Sequence, residues 1–233
     1  TNFQDYAQAK GWATPYAGVE PRVVNILTDL AKMSEADADS YLKALSDDQL
    51  KKLTPEELKA IKGYTGADFV PINDHLRGGQ TYKLTTKTKK SIQGIDDAFT
   101  KTTPLNDDLV VHRNGGMGRI MTREEFLDDV FREKRLSELI GSTIKDDGFI
   151  STSTHGSLVD KVMGGKVKYD IILPRGSSAH LPISSMSVNA YENEILLNRG
   201  SVFVVEKAEM LYENKGVKFM EKRYIHVVLR LIK

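Results

Sequence analysis

Near Pro104 the spacing of apolar residues changes from helical to strand-like, and no other feature of the 233-residue chain constrains its fold more. Upstream, Val23, Ile26, Leu27, Leu30 and Met33 recur at helical spacing from Pro21 onward, after an irregular lead-in over residues 1–20 that carries Trp12. Ser34 reads as the N-cap of a second helix carrying Tyr41, Leu42 and Leu45. Thr54-Pro55-Glu56-Glu57 combines a capping box with proline at the first helical position, and Gly63 is expected to end the helix it starts. An amphipathic piece reaches Leu76, and Lys87 to Phe99 completes the helical part with Ile92, Ile95 and Phe99 inward. Downstream, Leu109–Arg113 is a short apolar strand running into Asn114-Gly115-Gly116-Met117-Gly118. Thr122 with Glu125 caps a helix through Phe131, and a second helical piece covers Leu136 to Ile140. Strands are expected at Phe149–Ser153, Val167–Leu173, Glu192–Leu197, Ser201–Leu211 and Arg223–Ile232, separated by turn dipeptides such as Asp147-Gly148 and Arg199-Gly200. Helices first and strands later define an α+β fold with an antiparallel or mixed sheet system.

A chain of this length can bury a sizeable core. Its net charge of +1 gives no support for non-specific nucleic-acid binding. With no cysteine, disulfides and thiolate chemistry are excluded. His75, His112, His155, His180 and His226 are scattered without metal-ligand spacing, so no metal is expected. No apolar run is long enough to cross a bilayer, and no membrane segment is expected. The chain begins at Thr1, which reads as a processed or trimmed form.

Glu192 and Glu194 stand one residue apart at the head of the run Ile195-Leu196-Leu197. In an extended strand they share a face that Asn193 does not. Adjacent carboxylates repel, and burial raises at least one apparent pKa, so the pair suggests a site rather than a stabilising element. The plain alternative is a solvated edge-strand face. Three other features stand in a fixed order before it: a strand ending in Arg113, the strand Ser151-Thr152-Ser153, and a loop rich in Ser and Gly. Each is weak alone, and the ordered combination carries the argument. The cluster Gly115-Gly116-Met117-Gly118 superficially suggests a dinucleotide-binding turn, but its spacing fails Gly-X-Gly-X-X-Gly and no parallel βαβ pattern follows. A glycosidase needs carboxylates flanking the scissile bond, a geometry that same-face neighbours do not readily supply.

In these motifs the sequence resembles the bacterial mono-ADP-ribosyltransferase toxins of the Arg / Ser-Thr-Ser / Glu-X-Glu type, near the enzymatic components of the clostridial actin-modifying binary toxins. Arg113, Ser151-Thr152-Ser153 and Glu192-Asn193-Glu194 match the three signature motifs, and Tyr64, Phe69 and Asn73 match the segment that contacts NAD in that clade. The resemblance implies two packed, roughly perpendicular β-sheets with an NAD⁺ cleft between them. Residues 1–63 would form a helical extension of the same domain, and residues 64–233 the catalytic core. It implies NAD⁺ as co-substrate, with Arg113 on its phosphates and Asn114, Gly115, Ser151, Thr152, Ser153, Tyr64, Phe69 and Asn73 around it. Ser151 would brace Glu194, the carboxylate that stabilises the developing ribosyl cation. Glu192 would orient and deprotonate an acceptor guanidinium, which keeps its proton at physiological pH, and Tyr191 with the Ser184–Ala190 loop would recognise that acceptor. The implied product is a host protein ADP-ribosylated on arginine, actin being one candidate, by a secreted monomer acting in the host cytoplasm, with NAD⁺ hydrolysis on the side. The chain departs from the clade's usual pattern where Phe69 lacks a hydroxyl, where Asn114 replaces a second arginine, and where Val162, Met163 and Lys166 occupy the nicotinamide lid. A protein whose main reaction is NAD⁺ hydrolysis and a non-catalytic binding module are the competing readings.

Overall fold

The computed structural model describes residues 35–117, 120–155, 166–187, 193–213 and 222–232. The lead-in with Trp12, the expected Val23–Met33 helix, Ser34 and Gly118 lie outside the described residues. Four helices come first: α1 (Glu35–Leu50), α2 (Pro55–Gly63), α3 (Phe69–Leu76) and α4 (Thr86–Phe99). The capping box that starts α2 is complete, because Thr54 Oγ1 accepts from Glu57 N and Glu57 Oε2 accepts from Thr54 N at 2.8 Å. Gly63 does not turn the chain away as expected. Its backbone stays right-handed, and the chain continues through a π-helical turn, Tyr64–Asp68, into α3. The break falls instead at Gly66 (φ −89°, ψ −107°). A glycine ends a helix only where the chain takes up the left-handed geometry it permits, and here it does not.

The strands are β1 (Leu109–Gly115), β2 (Thr143–Asp146), β3 (Ile150–Ser153), β4 (Val167–Leu173), β5 (His180–Pro182), β6 (Glu194–Leu197), β7 (Ser201–Glu213) and β8 (Lys222–Leu231). Between β1 and β2 lie α5 (Arg123–Leu127) and α6 (Asp129–Leu139). The helix expected to run through Phe131 breaks at Asp128, whose Oδ1 accepts from the amides of Val130 and Phe131 and starts a second helix there. Strands β2 and β5 were not expected from sequence, being only four and three residues long.

The strand order is β2-β7-β8-β4-β1-β3-β6-β5, antiparallel except for the parallel pair β4–β8. One contact differs from the rest. Strands β1 and β3 share the single registered pair His112↔Ser153, whereas β1 and β4 share seven, from Leu109↔Leu173 to Gly115↔Val167. In place of the two separate sheets expected, the eight strands run as one mixed sheet that narrows to a single registered pair between a five-strand group (β2, β7, β8, β4, β1) and a three-strand group (β3, β6, β5). Val111, Ile171 and Leu229 of the first pack with Ile150, Ile195 and Leu197 of the second in one buried cluster. Ile61, Ile95 and Phe99 of the helices pack with Phe149, Leu181 and Leu196 in another. The three-strand group is thus covered on one face by the larger group and on the other by helices. Both ladders and helices are as an α+β fold requires.

The face of the larger group turned away from the shared core carries a polar chain across four neighbouring strands. His112 Nδ1 lies 2.6 Å from Asp170 Oδ1, His226 Nε2 lies 2.9 Å from Asp170 Oδ2, and Glu209 Oε1 meets both His226 Nδ1 (3.3 Å) and Lys207 Nζ (2.8 Å). Burial works to raise the Asp170 carboxyl, but the charges and hydrogen bonds of His112 and His226 outweigh it and hold it well below the usual carboxylate range. Burial opposes the charge on His226, yet Asp170, then Glu209, lift it to about 9. The stabilisation from His226 is fully present below its unfolded value, near 6.5, and is lost as pH rises through about 9; that from Asp170 is present above about 3.8 and lost as pH falls. The thermal midpoint is expected to fall by roughly 5–10 °C between pH 6 and pH 9.5, with His226→Gln flattening that limb in a differential scanning fluorimetry series.

Candidate active site

A cavity of about 310 Å³ opens beside the end of β1. Its floor is apolar, with Ile171, Phe203 and Leu229 from three strands of the larger group, and its polar lining comes from Arg77, Arg113, Asp146 and Tyr169. Strand alternation explains the division. Arg113 and its register partner Tyr169 face the cavity, while His112 and Asp170 face the other way. Gly115 and Gly116 line the cavity where β1 ends.

Arg113 Nη1 donates to the Ser151 carbonyl at 2.8 Å, tying β1 to β3 beyond their one registered pair. Burial pushes its guanidinium pKa down from the ordinary value; Tyr64 opposes that, and neighbouring Arg77 adds to it. The Tyr64 hydroxyl donates to the Phe149 carbonyl at 3.3 Å. Burial raises the Tyr64 pKa, the hydrogen bonds of Asn73 and Ser151 work against the rise, the charge of Glu194 adds to it and that of Arg113 subtracts.

Glu194 begins β6, 6 % exposed, in register with Ser153. The Ser187 hydroxyl reaches its carboxylate, at 3.4 Å to Oε2. Ser151, expected to brace Glu194, is half-buried on β3 with its carbonyl on Arg113 Nη1. The argument that Glu192 and Glu194 share a strand face fails on geometry, because β6 starts at Glu194 and Asn193 before it is left-handed (φ 47°). Alternation does not carry through such a residue. Glu192 and Tyr191 lie outside the described residues, as do Val162 and Met163 of the expected lid.

Other expected ligand contacts turn inward. Asn73 is buried, its Nδ2 donating to the Tyr64 hydroxyl at 2.9 Å and its Oδ1 accepting from Phe149 N at 2.9 Å, so it holds the helical layer against the start of β3. Tyr64 is 1 % exposed. Thr152 is fully buried, and its hydroxyl donates to the Ile195 carbonyl at 2.6 Å. The Ser153 hydroxyl accepts from His155 N. Asn114 is buried and alternates away from Arg113. Phe69 is exposed, with its ring edge-on to Tyr64 at 6.4 Å. In this geometry Tyr64, Asn73, Thr152 and Ser153 join the helical layer and the strands, and Arg113 and Gly115 line the cavity.

Arg77 was not singled out in sequence, where it reads only as the end of α3. Its Nε and Nη2 grip Asp146 of β2 at 2.9 and 3.1 Å, and Nη2 also donates to the Phe149 carbonyl. The fit depends on Gly148: a Cβ there would stand 2.8 Å from Arg77 Nε and from Asn73 Oδ1. The sequence signal was present in the Asp147-Gly148 dipeptide, which reads as a turn without revealing what passes over it.

Two guanidiniums at the mouth of a cavity with an apolar floor, and a buried carboxylate nearby, suit a ligand that carries phosphates at one end and develops positive charge at the other. That is the cleft of an ADP-ribosyltransferase. Residues 38–226 match the family model described as ADP-ribosyltransferase exoenzyme, and the chain belongs to that family. It is 27 % identical over 199 residues to the NAD(+)--arginine ADP-ribosyltransferase of Enterobacteria phage T4, covering 71 % of this chain and 28 % of that protein. It is 29 % identical over 176 residues to the NAD(+)--arginine ADP-ribosyltransferase EFV of Enterococcus faecalis, covering 75 % and 33 %. The chain thus spans a third or less of the length of these curated relatives. Its fold is shared with Plx2a, an ADP-ribosyltransferase toxin from Paenibacillus larvae, with a TM-score of 0.71 at 24 % identity over 85 % of this chain and 96 % of that one. No helix among the described residues is long and apolar enough to cross a membrane.

Gly148→Ala is expected to push Arg77 and Asn73 off their partners. The thermal midpoint should drop by roughly 4–8 °C, equivalent to about 2 kcal/mol, and NAD⁺ affinity measured by fluorescence titration should weaken with it.

Proposed function

We propose that the chain transfers the ADP-ribosyl group of NAD⁺ to an arginine side chain of a host protein and releases nicotinamide. The observation that carries the reading is the cavity lined by Arg113, Gly115 and Gly116 at the end of β1, with Arg113 Nη1 on the Ser151 carbonyl and the buried Glu194 in the adjoining β3–β6 ladder. Arg113, with its planar donor fork, holds the diphosphate, and the apolar floor takes a ring. As the bond between ribose C1′ and the nicotinamide nitrogen breaks, the electron pair leaves with nicotinamide and positive charge grows on the ribose. Glu194, buried and fixed at the head of β6, offsets that charge where no solvent reorganises. Ser151, whose carbonyl takes Arg113, sits between that arginine and the Glu194 strand. A guanidinium nitrogen then bonds to C1′ and gives up a proton to Glu192. With water in its place the same steps hydrolyse NAD⁺, as a side activity. The relatives named as arginine-specific enzymes support this choice of acceptor.

The helices before residue 64 belong to the same domain in this reading. Leu42 of α1 joins the cluster between the strand groups, Ser46 Oγ accepts from Ser185 N, and Ile61 of α2 packs with Phe149. Action as a secreted monomer in a host cytoplasm, with actin as one candidate acceptor, completes the proposal.

Labelled NAD⁺ supplied with agmatine and a host-cell lysate tests it: label should reach agmatine and discrete proteins. Glu194→Ala should lower hydrolysis and transfer alike by roughly 10²–10³. Glu192→Gln should spare hydrolysis within a few-fold while transfer to agmatine collapses. Near-normal NAD⁺ turnover in the Glu194 variant would overturn the assignment, and hydrolysis without transfer would make the protein a glycohydrolase.

A further inference from the structure

Helix α6 is turned inside out at its start. It buries the side chain of Arg132 to 2 % exposure, together with Leu136 and Leu139, while Val130 and Phe131 stand 77 % and 61 % exposed. Leu127, the last residue of α5, is 67 % exposed beside them. Arginine is rarely fully buried and large apolar side chains rarely gather in the open, so both departures need a reason. Arg132 is held by the Phe126 carbonyl and Asp129, yet its Nε has no hydrogen-bond partner, so the arrangement is not one that stability alone selects. Val130 and Phe131 are neighbours in the first turn of α6, and exposed Leu127 ends α5 one residue before the break at Asp128. Among the described residues, four of the eight exposed large apolar side chains (Leu127, Val130, Phe131 and Ile140) fall within fourteen positions.

The patch has a charged border of one dominant sign. Glu124, Asp128, Asp129 and Glu133 are exposed in this stretch against two exposed cations, Arg123 and Lys134, in a chain whose overall charge is +1. It is also fastened to the cleft. Arg135 Nε donates to the Ile120 carbonyl in the loop that follows Arg113 and Gly116, and α6 leads through Gly141 into β2, whose Ile144 and Asp146 line the cavity.

We propose that Leu127, Val130 and Phe131 form a docking surface for the acceptor protein, which presents an apolar spot bordered by lysine or arginine. This rests on the transfer reading above and adds how a macromolecular acceptor is chosen over a small one. An acceptor arginine lies on a protein surface, and a cationic border complements this acidic one. A second contact away from the chemistry supplies binding that a free guanidine cannot use.

The experiment compares the wild-type chain with Val130→Asp and Phe131→Asp, both exposed and compatible with folding, by labelling proteins of a eukaryotic cell lysate and, separately, agmatine. Melting curves confirm that the variants are folded. Protein labelling should fall at least ten-fold, while agmatine transfer and the KM for NAD⁺ stay within two-fold. Unchanged protein labelling overturns the proposal, as does a wild-type chain that modifies agmatine but no protein. A wild-type dimer in sedimentation that the variants abolish would assign the patch to a second copy. Flotation with anionic vesicles that the variants abolish would assign it to a membrane. Either result overturns the acceptor as occupant. Failure of wild-type transfer to agmatine would count against the transfer reading itself.

Discussion

The amide of Asn73 is the interaction on which the architecture of the site rests. It sits in the interior with one end on the Tyr64 hydroxyl and the other on the backbone of Phe149. A buried amide left without partners costs about 1–3 kcal/mol for each group, so the helical layer and the start of β3 adopt the relative position that satisfies it. Tyr64 is thereby fixed, and Tyr64 in turn holds the carbonyl of Phe149, two residues before Ser151. The π-helical turn over Tyr64–Asp68 belongs to the same logic: the widened turn delivers an aromatic hydroxyl to the sheet while the chain stays helical on both sides.

Electrostatics in this molecule is divided by the larger strand group. On the cavity face Arg77 is matched by Asp146, and Arg113 leans on a carbonyl rather than on a carboxylate. The Arg113 fork is therefore not matched by a carboxylate of the kind that holds Arg77. On the opposite face the carboxylates of Asp170 and Glu209 are met by His226 and Lys207 in a closed chain. Such a buried network gains little over apolar packing in stability, but it admits only one alignment of β1, β4, β8 and β7. Since Arg113 is the residue after His112, alignment on one face fixes position on the other.

Most of the framework was legible in the sequence because its signals are local. The capping boxes at Thr54 and Thr122, and the limits of β4, follow from side chains within a few positions of one another. What stayed hidden depends on distant partners or on backbone geometry. Arg77 looks like an ordinary helix end until Asp146, far along the chain, lies against it. The role of Asn73 depends on Phe149, and Thr152 looks like a ligand contact until its hydroxyl is found on Ile195. Asn193 is the instructive failure. Alternation assumes extended backbone throughout, and one left-handed residue cancels it without any trace in the spacing of the two glutamates. The exposed Val130 and Phe131 escaped for a related reason: helical periodicity identifies a stripe but not which stripe faces inward, and here the arginine took the interior.

The join between β1 and β3 has a mechanical meaning. Along most of a sheet, separating two strands means breaking a run of backbone hydrogen bonds, but where His112 meets Ser153 there is a single rung. The two walls of the cleft are therefore held mainly by side-chain packing and by the reach of Arg113 to a carbonyl, contacts that tolerate small rotations. A gap that admits a long, bent dinucleotide can change its aperture without unzipping either wall.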